Sequence, residues 1–143
     1  MIYEDFKQLK INRQIHAIIG ISRKQFDDLV PQFANAHQEI QNERLAKGEI
    51  KRLPSGGKKG PLSDYENQLF FILYYLKNYP TFDVIGFLFG LSAGHAHDKA
   101  IYCMNILERA LKNVNVLPKQ MIKNIQEFKE LIKDEEKIII DGV

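Results

Sequence analysis

Apolar residues recur along this chain at helical spacing, and capping residues mark where each run begins. Phe26, Leu29, Val30 and Phe33 follow the i, i+3, i+4, i+7 rule. Ser22 and Gln25 form a capping box there, with Ile21 and Phe26 placed as a hydrophobic staple. The spacing predicts a helix from Arg23 to Asn35 or beyond. Shorter helices precede it at Tyr3–Leu9 and Arg13–Ile19, the second ended by Gly20. A polar stretch from His37 leads into an irregular segment. Ser63 and Glu66 offer another capping box, for a helix that runs to Asn78 and stops before Pro80. Its run Leu69–Leu76 is apolar on every side, as in a central helix surrounded by others.

Further on, Thr81 caps a short helix, Phe82–Phe89, with Gly90 as its C-terminal turn, and Ser92 caps a long one from Ala93 to Asn113. Pro118 opens an amphipathic helix with Met121, Ile125, Phe128 and Ile132 on one side. Residues 137–143 change character and read as a buried strand. The expected fold is therefore all-α: a multi-helix bundle containing a helix-turn-helix, with a single orphan C-terminal β-strand. It divides into an N-terminal helical segment (1–42), a linker (43–61), a helix-turn-helix domain (62–116), a connecting helix (117–136) and the strand.

Length and composition narrow the class. The 143 residues suffice for one domain with an appendage, and 45% apolar with 27% charged residues is ordinary for a globular chain. One cysteine, Cys103, excludes a disulfide framework and falls on an apolar helical stripe, so it reads as an inert buried thiol. The N-terminus lacks a signal-peptide core and no apolar run is long enough for a bilayer, so a soluble, cytoplasmic protein is expected. The formal net charge of +2 is unevenly spread. Between Glu43 and Pro61, six basic residues (Arg44, Lys47, Lys51, Arg52, Lys58, Lys59) face two acidic ones, a local +4. The same stretch is rich in Gly and Pro. It is either a phosphate-following linker or a solvated hinge whose charges serve solubility.

The candidate chemistry lies between residues 81 and 112. A short helix, a tight turn at Gly90-Leu91-Ser92 and a longer helix make the layout in which a second helix enters a major groove. At about 100° per residue, Ala96, Ala100, Cys103, Met104, Leu107 and Leu111 form a core stripe. Gly94, His95, Asp98, Tyr102, Asn105 and Arg109 fall opposite, with His97 and Lys99 on the flanks. His95, Asp98, Lys99 and Tyr102 are then the candidates for reading base edges; Tyr102 and Lys99 can instead contact phosphates, and the Ser92 end offers free backbone amides to an anion. A carboxylate such as Asp98 is repelled by phosphates but accepts from a cytosine amino group. A solvated helix face is the alternative. A metal reading of His95, His97 and Asp98 is set aside because His97 points away from the other two. No P-loop, dinucleotide fingerprint or CxxC pair is present, and no small-molecule substrate is expected.

Lys59-Gly60-Pro61-Leu62-Ser63, Leu69–Leu76, Asn78-Tyr79-Pro80-Thr81 and Phe87-Leu88-Phe89-Gly90-Leu91-Ser92 stand in an order and spacing found elsewhere. With Gly20-Ile21-Ser22-Arg23-Lys24-Gln25-Phe26, the chain resembles the N-terminal region of bacterial insertion-sequence transposases. The resemblance is to the insertion sequence five family of the DDE superfamily, over residues 16–143. It implies binding to double-stranded DNA at the element's terminal inverted repeats, association with the bacterial nucleoid, and a homodimer or full-length transposase as protein partner. It also implies that Ile138-Ile139-Ile140-Asp141-Gly142 opens an RNase H-like catalytic core, with Asp141 as the first of three metal-binding carboxylates. A complete enzyme of this kind uses Mg²⁺. One carboxylate cannot hold a catalytic metal pair, so this chain by itself is expected to bind no catalytic metal and to leave DNA uncut. Its long helix departs from the family in opening Ala93-Gly94-His95-Ala96-His97-Asp98, where small polar and basic residues are common. Two alternative functions follow: an inhibitory protein that pairs with full-length transposase, or a remnant without function.

Overall fold

The computed structural model describes residues 2–52 and 62–114, and all regular structure within them is α-helical. Six helices follow in order: α1 (Ile2–Lys7), α2 (Asn12–Ile19), α3 (Arg23–Ala46), α4 (Tyr65–Asn78), α5 (Phe82–Phe89) and α6 (Ala93–Val114). The amphipathic segment from Pro118 and the orphan strand with Asp141 lie outside the described residues.

Local chemistry starts and stops most of these helices as the sequence predicts. Ser22 Oγ accepts the Gln25 amide while the Gln25 side chain accepts the Ser22 amide, completing the capping box of α3. Thr81 Oγ1 accepts from the Val84 amide and Ser92 Oγ from the His95 amide, each at 3.2 Å. Gly20 and Gly90 take the left-handed conformation that ends α2 and α5. Tyr79 does the same for α4, and Pro80 behind it prevents the helix from resuming.

Two elements differ from the sequence reading. The expected capping box of Ser63 and Glu66 does not form: α4 begins after Asp64, with no side-chain cap. Glu66 instead accepts the Tyr3 hydroxyl at 2.9 Å, tying α1 to α4. Second, the linker starts later than residue 43, because α3 continues past Asn35, as the open-ended reading allows. The helix runs to Ala46, so the polar stretch from His37 and the first residues assigned to the linker are helical. Pro31 sits inside it on the exposed side.

The core surrounds α4, where Gln68–Leu73, Tyr75 and Leu76 are buried. Phe70 meets Phe6 of α1 at 4.6 Å between ring centroids, and Phe6 meets Phe26 of α3 at 5.8 Å edge-on. Phe71 receives Phe89 of α5 edge-on at 5.0 Å. Such pairs add about 0.5–1.5 kcal/mol each beyond the area they bury. Arg23 donates from Nη2 to the carbonyls of Phe6 and Leu9 at 2.9 and 3.0 Å and lies over the Phe6 ring. The Phe6 carbonyl, at the end of α1, also accepts the Leu9 amide at 3.1 Å.

Candidate nucleic-acid interface

The turn between α5 and α6 is tight because Gly86 lets the chain approach it. The Leu91 amide donates to the Gly86 carbonyl at 2.8 Å, behind the left-handed Gly90. Phe82, at the start of α5, stacks on Tyr75 of α4 at 5.4 Å and presents to His97 of α6 at 5.1 Å, edge to face. These contacts set the direction in which α6 leaves the corner. The predicted core stripe of α6 is buried in full: Ala96, Ala100, Cys103, Met104, Leu107 and Leu111, joined by Ile106 and Ala110.

The opposite side of α6 is divided along its length. Gly94, His95 and Asp98 are exposed in its first turns, as is Asn105 further along, with Ser92 exposed at the cap. Asp98 keeps 80% of its side chain open, with one oxygen 3.3 Å from His97 Nδ1. His97 itself is half-buried against Phe82, and its Nε2 has no hydrogen-bond partner among the described residues. Lys99 is half-buried, its Nζ 5.0 Å from the Tyr102 ring centroid. Of the basic linker, Lys51 and Arg52 are exposed just beyond α3, and Arg44 pairs with Glu49 at 3.5 Å. Lys58 and Lys59 lie outside the described residues.

Tyr102 and Arg109 do not share the open surface that the helical arithmetic assigns them. The Tyr102 hydroxyl is 2.6 Å from His37 Nε2 of α3, and burial raises its pKa. Arg109 donates from Nη1 and Nη2 to the two carboxylate oxygens of Glu43 at 2.7 and 2.9 Å. Asn113 donates to Glu39 at 3.0 Å. The reason is the length of α3, whose second half lies along this side of α6. Sequence reasoning therefore missed His37, Glu39, Gln41 and Glu43. If the helix continues, His37 with Gln41 and Glu39 with Glu43 share a face at i, i+4, although two like charges so placed do not themselves favour it. Nothing local pointed to partners more than sixty residues away.

This arrangement suits recognition by hydrogen bonding and charge. The first turns of α6 offer an imidazole (His95), a carboxylate (Asp98) and an ammonium (Lys99) at the Ser92-capped helix end. Cys103 is buried, and the loss of solvation pushes its thiol up to about 12, so it is no nucleophile at neutral pH. No three His, Cys, Asp or Glu side chains among the described residues converge as a metal site. No helix among them is long and apolar enough to cross a membrane.

Helix lengths, corner and caps define α4–α6 as a helix-turn-helix domain. Residues 60–113 match the family described as the helix-turn-helix of DDE superfamily endonuclease, a DNA-binding type associated with transposases. The matched segment spans α4, the corner and nearly all of α6. No curated protein and no solved structure matches the chain.

Proposed function

We propose that this chain is the DNA-binding N-terminal part of a transposase that recognises the terminal inverted repeats of its own element. The observation that carries the proposal is the Ser92-capped, open first stretch of α6 inside a segment that matches a transposase-type helix-turn-helix. In this reading α6 enters the major groove. His95 and Asp98 meet base edges, Ser92 and Lys99 meet phosphate, and Lys51, Arg52, Lys58 and Lys59 follow the backbone. Tyr102 leaves the base-reading set, because its hydroxyl is held by His37.

Fluorescence anisotropy with a duplex carrying the inverted repeats that flank this reading frame tests it. A scrambled duplex of the same length serves as control. The repeat duplex is expected to bind more tightly at physiological salt. Changing Lys51 or Arg52 to Ala should weaken both duplexes alike and flatten the salt slope by about 1 per residue. Changing His95 or Asp98 should alter preference between duplexes. Equal binding to both duplexes would sink specific recognition.

We propose no strand cleavage by these 143 residues. The transposase reading assigns them Asp141 alone, and two-metal phosphoryl transfer needs a cluster of carboxylates. Cleavage with Mg²⁺ or Mn²⁺ that Asp141→Asn abolishes would overturn this part.

A second reading has its own observation. Phe87 is 85% exposed and Val84 49%, three residues apart on α5, which suits a protein contact. On this reading the chain pairs with full-length transposase and inhibits it. Co-purification of the two at high salt, lost in Phe87→Ser, would support it.

A further inference from the structure

His37 stands on α3, outside the segment 60–113, yet it joins both of that segment's longer helices. Its Nδ1 is 2.8 Å from the Tyr65 hydroxyl of α4, and its Nε2 is 2.6 Å from the Tyr102 hydroxyl of α6. Both phenol rings meet the imidazole steeply inclined, with centroids 5.5 and 5.9 Å away. The Gln41 amide nitrogen lies 3.2 Å from Nε2, and with the amide in that orientation the fitting tautomer accepts at Nε2 and carries its proton on Nδ1. In that tautomer the Tyr102 O–H donates to Nε2, and Nδ1–H donates to the Tyr65 oxygen. Three residues before Tyr102, Lys99 rests its ammonium over the Tyr102 ring. An unbroken line of contacts thus runs from α3 to a cation on the opening turns of α6.

We propose that His37 is a positioning residue for DNA binding: neutral, with its proton on Nδ1, it holds Tyr102 and through it keeps Lys99 on the phosphate side of α6. This rests on the DNA-binding reading above. Protonation reverses the arrangement. Nε2 becomes a donor, so the Tyr102 hydroxyl must turn its hydrogen away. The Gln41 amide must rotate as well, bringing its Oε1, which has no partner among the described residues, toward Nε2–H. The imidazolium also faces the Lys99 charge. The ionisable groups around the pair are Tyr65 on α4, Lys99 and Cys103 on α6, and Arg44 on α3. Burial and Lys99 both keep His37 below its ordinary 6.5. A depressed histidine favours the fold at higher pH, and that contribution is lost as pH drops below 6.5.

Wild type, His37→Gln and His37→Leu decide the matter. Gln retains an acceptor for the Tyr102 hydroxyl but does not titrate, whereas Leu retains neither property. Affinity for a synthetic mixed-sequence duplex is measured on both sides of pH 6.5, beside amide hydrogen exchange of α6 without DNA. Wild type should lose affinity on acidification. His37→Leu should be weaker by about fivefold at neutral pH, the scale of one phosphate contact by counterion release. His37→Gln should bind like wild type at neutral pH and lack the acid loss. A His37→Gln protein that keeps the wild-type pH profile overturns the proposal, whether or not His37→Leu folds. If wild type binds no duplex, the DNA-binding reading fails, and the exchange data judge His37 alone. Faster exchange around Lys99–Tyr102 in His37→Leu, restored in His37→Gln, supports its positioning role, and unchanged exchange in both removes it.

Discussion

Gly86 and Leu91 close the corner of the helix-turn-helix: the Leu91 amide donates to the Gly86 carbonyl, and a Cβ on Gly86 would sit 2.5 Å from the Leu91 carbonyl oxygen. That oxygen belongs to the backbone, so it cannot swing aside as a flexible side chain would. In an open helix position, alanine for glycine is a gain of about 0.4–1 kcal/mol. Here the clash dominates, and Gly86→Ala should cost about 1–3 kcal/mol. Gly94 is the control, being exposed on α6 with nothing within 4 Å of an added Cβ. Urea denaturation should show Gly86→Ala destabilised and Gly94→Ala neutral or stabilised.

Phe87 and Phe89 are two residues apart on α5 and have opposite surroundings. Phe89 is 1% exposed against Phe71, Phe70 and Tyr74, whereas Phe87 is 85% exposed. Phe89→Ala should cost about 3–5 kcal/mol, by lost transfer energy and the cavity left behind. Phe87→Ser should fall within about 0.5 kcal/mol of wild type. Thermal melts of the two variants check both values, and a large loss in Phe87→Ser would mean that its ring is covered.

Acid should destabilise the protein in two windows. Hydrogen bonds from Arg109 hold Glu43 below its ordinary 4.5, so its contribution is present above that value and is lost as pH falls through the lowered one. The His37 contribution is lost earlier, below 6.5. Urea midpoints measured against pH should therefore decline in two phases. Glu43→Gln should remove the lower phase and His37→Gln the upper. Added salt should shrink the Glu43 phase, because that pair is largely solvent-exposed.

Cys103 should resist thiol reagents in the native protein. Its thiol is buried between the core residues of α6, and a pKa pushed up to about 12 leaves almost no thiolate at neutral pH. Labelling by a chromogenic disulfide should be slow and should accelerate with urea in step with unfolding. Fast native labelling would show that α6 opens locally.

What the sequence determined by itself was the punctuation. Ser22, Thr81 and Ser92 start helices, and Gly20 and Gly90 end them, because each acts on backbone groups within four residues. The apolar run of α4 and the stripe of α6 marked the core for the same local reason, a period that matches the helix. Tertiary structure decided which polar residues are open to a ligand. Glu66 has capping chemistry, yet it accepts from Tyr3, which is distant along the chain and adjacent in the fold. His37–Glu43 reads as a polar stretch without partners, but in the fold it is helix, with Tyr65, Tyr102 and Arg109 as side-chain partners. Helical arithmetic places Tyr102 and Arg109 beside His95 and Asp98 because it contains one helix. The second half of α3 lies over part of that face, and only packing between helices distant in sequence determines which part stays open.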